Sequence, residues 1–136
     1  MQEGSGATGV SKKALWAGRI ISALPVLLLL FSATLKFAKP PGVVEGFKKF
    51  GYPEHLILVL AILEIGCTII YLIPQTSVIG AILLTGYLGG ATATHFRIGD
   101  PSFIMPVICG VLVWLGLLLR EGRLRPLLPL RSSKSR

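Results

Sequence analysis

Four long apolar runs divide this chain, and they leave few folds open to it. The runs cover residues 14–37, 55–73, 77–96 and 103–119. Each is close to the ~20 residues that a helix needs to cross a ~30 Å hydrocarbon core. A segment inside lipid must satisfy its backbone hydrogen bonds internally, so each run is predicted to be a helix. Composition points the same way. The chain is 52% hydrophobic and 15% charged, whereas a soluble domain carries roughly 25% charged residues. Its mean hydropathy is +0.73. A water-soluble fold of this composition would expose large apolar patches, which are rare on soluble monomers. With 136 residues there is room for one domain. The expected fold is all-α, a four-helix transmembrane bundle with almost no soluble part.

Three divisions follow: a polar, glycine-rich tail over 1–13, a transmembrane domain over 14–120, and a basic, proline-broken tail over 121–136. The first tail has the composition of disordered chain. Lys12, Lys13 and LPVLLLLFSA also follow the order of a signal peptide, but Arg19 interrupts it and the apolar character continues past Ala33. Between runs one and two, Pro40 and Pro41 end the helix. Beyond them Val43, Val44, Phe47 and Phe50 share one side of a short helix, and Glu45, Lys48 and Lys49 the other. That pattern suits a helix lying in the membrane interface, or a loop that caps the bundle. Basic residues near the run ends favour both termini in the cytoplasm.

The net charge of +8 sits in run ends and tails, with no basic patch interleaved by aromatics of the kind that stacks bases, so nucleic acid is not an expected partner. Cys67 and Cys109 lie alone in apolar runs and provide neither a disulfide framework nor metal-ligand spacing. No phosphate-binding loop, G-x-G-x-x-G, H-E-x-x-H or G-x-S-x-G is present. His55 and His95 fall near run ends and not where they would sandwich a haem.

Polar groups inside the apolar runs carry the functional information. A charge at the bilayer centre costs at least ~2.5–3.5 kcal/mol, so Glu64, mid-way along run two, needs a partner and should face the bundle with Ala61, Cys67, Thr68 and Tyr71. Run one presents Arg19, Ser22, Pro25, Leu29, Ser32 and Lys36 on one face. Arg19, roughly 9 Å along the axis from the run's middle, is the expected ion-pair partner of Glu64. Lys36 is expected near the opposite surface. Run three is the most polar, with Thr85, Tyr87, Thr92, Thr94 and His95. Its G-x-x-x-G pair, Gly86 and Gly90, is expected to let a partner helix approach closely, whether that helix belongs to this chain or to another copy. Acid, base and hydroxyl groups converging from three helices point to a polar pocket bounded by Lys36, Glu64, Tyr87 and His95.

These residues resemble the DoxX-like family of small bacterial integral membrane proteins, over roughly Arg19 to Leu119. The likeness is carried by SATLKFAKP, FKKFGYPEHL, LEIGCTIIYLIPQT and LLTGYLGGATATHFRIGDP. The matching positions are Lys36, Glu64, Gly86, Tyr87, Gly89, Gly90, Thr94, His95 and Arg97. The resemblance implies a four-helix fold in the bacterial cytoplasmic (inner) membrane. It also implies redox or assembly proteins as partners, the family's namesake being linked to the membrane part of a thiosulfate:quinone oxidoreductase.

Three functions fit. The first is a non-catalytic module that binds a lipophilic ligand or a partner subunit, with Lys36, Glu64, Tyr87, Thr94, His95 and Arg97 as its site and Gly86, Gly89 and Gly90 as packing positions. The second is a membrane subunit of a quinone-linked oxidoreductase, in which Glu64, Tyr87 and His95 handle the protons that quinone carbonyls require. The third is a small transporter or proton pathway, which four helices would serve best as a homo-oligomer.

Overall fold

A computed structural model describes residues 10–128. The helices are α1 (Lys12–Ala38), α2 (Pro41–Phe50), α3 (His55–Leu72), α4 (Ser77–Arg97) and α5 (Ile104–Arg120), with short 3-10 turns before α4 and α5 and after α5. No strand occurs among the described residues. Four helices are long and apolar enough to cross a membrane. The expected tails over 1–13 and 121–136 fall partly outside the described residues. Of their described residues, Lys12 and Lys13 open α1, whose start is capped by the Ser11 hydroxyl accepting from Ala14 N at 3.2 Å, and Gly122–Leu127 form a 3-10 turn, while Val10, Ser11, Glu121 and Leu128 lie outside any helix.

The long helices form a ring in the order α1, α3, α4, α5, closed by α5 against α1. Large apolar side chains point outward from every one of them, including Leu27, Ile62, Ile82 and Val111. Lipid is the solvent such a surface fits. The polar stripe expected on α1 is the buried face at Ser22, Pro25 and Leu29, and α3 buries Ile57, Ala61, Glu64, Thr68 and Tyr71 at helical spacing.

Close approach of backbones happens at one end of the ring. A Cβ on Gly18 would lie 2.7 Å from the Gly116 carbonyl, one on Gly116 would collide with Ser22, and one on Gly80 would collide with the Tyr71 backbone. Tyr71 is fully buried here. Its hydroxyl donates to the Val113 carbonyl at 2.8 Å and lies 3.0 Å from Ser22 Oγ. Arg120 Nε donates to the same Ser22 oxygen at 3.2 Å, and its guanidinium stacks over the Tyr71 ring. Gly86, Gly89 and Gly90 bring no helices of this chain together: a Cβ at any of them would meet nothing within 4 Å. Within the chain these glycines face open space.

Between α1 and α3, Lys39 takes a left-handed conformation (φ 51°) and Gly51 another (φ 81°). They turn the chain into and out of α2. Val43, Val44, Phe47 and Phe50 are half-buried, whereas Glu45, Lys48 and Lys49 are exposed. The amphipathic pattern therefore lays α2 across the end of the bundle opposite the glycine contacts.

Candidate functional site

Glu64 retains 2% exposure and Lys36 12%, and Lys36 Nζ donates to Glu64 Oε2 at 2.7 Å. Ser32 sits one turn before Lys36. Its oxygen accepts from Lys36 Nζ at 2.5 Å, and its hydroxyl reaches Glu64 Oε2 at 3.4 Å. The expected Arg19–Glu64 pair is not formed: Arg19 is exposed, with its guanidinium over the Trp16 ring at 5.3 Å. The cause is side-chain direction. Long helical side chains lean toward their own helix N-terminus. On antiparallel α1 and α3, that sends Lys36 inward and Glu64 toward it, while Arg19 leans away.

The ion pair forms part of the wall of a cavity of about 650 Å³. Small-molecule sites occupy roughly 300–1,000 Å³. All five helices contribute to its lining. Lys36, Glu64, Tyr87, Thr94 and His95, expected as one site, all line it, and Gly86 and Gly90 provide room in its α4 wall. Tyr87 lies beside Glu64. Gly89 turns instead toward a shallow apolar groove between α4 and α5. The cavity is not sealed from lipid: Phe31 and Leu63 line it with 63% and 51% of their surfaces exposed.

Phe47, Phe50 and Tyr52, from α2 and the turn after it, form the roof. Three contacts hold this roof to α4. Tyr52 and Thr94 share a hydroxyl hydrogen bond of 2.8 Å, Phe50 meets the His95 ring edge-on at 4.8 Å, and Arg97 donates to the Phe50 carbonyl. Arg97 thus ties down the roof from outside and does not line the cavity, contrary to expectation. His95 Nδ1 lies 3.1 Å from Asp100 Oδ2. The Ser102 backbone N–H, with His95 second, holds the Asp100 carboxyl below the usual carboxylate range.

Sequence reasoning missed Ser32 as a site residue and missed the roof aromatics. Ser32 carried a usable signal, being four residues before Lys36 and on the same face. Compared with known families, the chain matches a family model described as the DoxX-like family over residues 20–116. No curated protein matches it, and no solved structure does.

Proposed function

The chain belongs to the DoxX-like family, its match spanning most of the four-helix domain, and from that premise we propose that this multi-pass membrane protein binds a lipophilic molecule inside its bundle, without catalysing its conversion. The observation that carries this reading is the cavity of about 650 Å³ whose wall includes a buried ion pair and whose roof is a short amphipathic helix. Tight packing would have filled that space at no cost in polar groups. Lys36, Glu64, Tyr87, Thr94 and His95 are its binding residues, and Arg97 acts through the roof.

A quinone-linked role is the second reading. It has one observation in its favour: Lys36, Tyr87 and His95, all able to carry protons, face the same space. The proposed setting is a bacterial cytoplasmic membrane with both termini inside. Lys12, Lys13, Arg120, Arg123 and Arg125 lie at the glycine-packed end, which suits the cytoplasmic face. The bundle over 14–120 is then the binding domain, with the described tail residues 121–128 at the inner surface.

Native mass spectrometry from mild detergent tests the reading. The wild-type protein is expected to retain a small lipophilic molecule. Gly90→Leu, which fills open cavity space, is expected to lose it at unchanged thermal stability. A wild type that carries nothing, or a Gly90→Leu variant that retains the molecule equally, would count against the site.

A further inference from the structure

We propose that the cavity selects molecules whose polar head carries no net charge, a rule that rests on reading the cavity as a ligand site. The argument is one of charge balance. Lys36 brings an ammonium to the wall, and Glu64 cancels it at 2.7 Å. His95, also on the wall, is held by a hydrogen bond to Asp100, whose carboxyl lies outside the lining. The remaining polar groups on the lining, Ser32, Tyr52, Tyr87 and Thr94, are neutral hydroxyls.

A carboxylate or phosphate head entering this space would approach Lys36 only beside Glu64, and like charges repel strongly where water is scarce. An ammonium head meets the same obstacle in Lys36. Either would have to break a buried pair, and the group left behind would keep its charge without compensation. An alcohol, ketone or amide head breaks nothing. A carboxylate has acceptor capacity beyond the two bonds that Lys36 and Ser32 make to Oε2. A hydroxyl head can donate to it, and a carbonyl head can accept from Tyr87. The apolar walls at Leu29, Phe31 and Leu63 take the tail. The internal pair thus works as a charge filter whose sign each partner sets.

Three probes with one common tail test this: hexadecanol, palmitate and hexadecylamine. Each is offered at neutral pH to the full chain in lipid nanodiscs, and the retained probe is counted by mass spectrometry. Wild type is expected to retain hexadecanol roughly tenfold over either charged probe. Glu64→Gln leaves the Lys36 charge free and is expected to shift preference to palmitate. Lys36→Met is expected to shift it to hexadecylamine. The double variant Lys36→Met/Glu64→Gln, which has no unpaired charge, is expected to return to hexadecanol. Where a single variant fails to fold, the wild-type and double-variant rankings decide. A wild type that prefers a charged probe, or rankings that ignore the substitutions, would overturn the charge rule. Equal retention of all three probes would overturn it while leaving the ligand site standing. Retention of none would overturn the ligand site and the charge rule together.

Discussion

Lys36 and Glu64 stand on antiparallel helices at different depths, and only side-chain lean lets them meet. The pair is the most demanding feature of the molecule, because removing either member leaves the other buried without its partner. Glu64→Leu removes the acceptor of both Lys36 and Ser32, so it is expected to cost about 3 kcal/mol. Glu64→Gln keeps an acceptor and should cost less. Replacing both partners, Lys36→Met with Glu64→Leu, should recover most of the loss, since no charge is then left alone. Thermal unfolding of these variants and of Lys36→Met alone, in detergent, checks the order. Additive losses would mean that the two residues do not act as a pair. The pairing was half legible in the sequence. That Glu64 needed a cation could be read from its depth, and its polar neighbours could be read from helical spacing. The choice of Lys36 over Arg19 depends on the direction in which each side chain leaves its helix. A linear pattern of residues does not state this unless the chain's path is followed down one helix and up the next.

At the scale of the helices, glycine has two opposite uses. Gly18, Gly80 and Gly116 let backbones touch, and a methyl group there meets neighbouring backbone. Gly86 and Gly90 keep a cavity wall thin, and a methyl group there meets nothing. Gly116→Ala is therefore expected to lower the melting temperature by overpacking worth ~1–3 kcal/mol. Gly86→Ala should leave it unchanged or raise it, since alanine is favoured over glycine within a helix by ~1 kcal/mol. Thermal unfolding of the two variants side by side decides this, and equal losses would contradict the assignment. The four helices themselves were legible as apolar length, to within two residues at their ends. The roles of the glycines were not, because a G-x-x-x-G spacing records that an α4 face is smooth and does not record what lies opposite. Only the ring order of the helices places Gly80 and Gly116 against backbone and Gly86 and Gly90 against empty space.

Taken whole, the bundle is asymmetric along its axis. One end is drawn together by three glycines and by the Tyr71, Ser22 and Arg120 contacts, and it carries the described basic residues of both chain ends. The other is held apart around a cavity and covered by α2. In the proposed orientation, cysteines placed at Ser11 and Arg123, in a chain freed of Cys67 and Cys109, should react with a membrane-impermeant maleimide only after permeabilisation. Reaction of both from outside would invert the orientation. Reaction from opposite sides would contradict the even number of crossings. The same asymmetry bears on what can move through the molecule. A bore open at both faces could carry a solute down a gradient, but this cavity's lining reaches only as far as Leu29, Glu64, Leu88 and Cys109, and beyond it the bundle closes around the fully buried Tyr71. On the proposed reading, whatever enters leaves by the way it came and returns to the same leaflet. On that reading the protein is a berth rather than a passage: it shelters or presents a molecule, and vectorial flow would require the packing around Tyr71 to come apart.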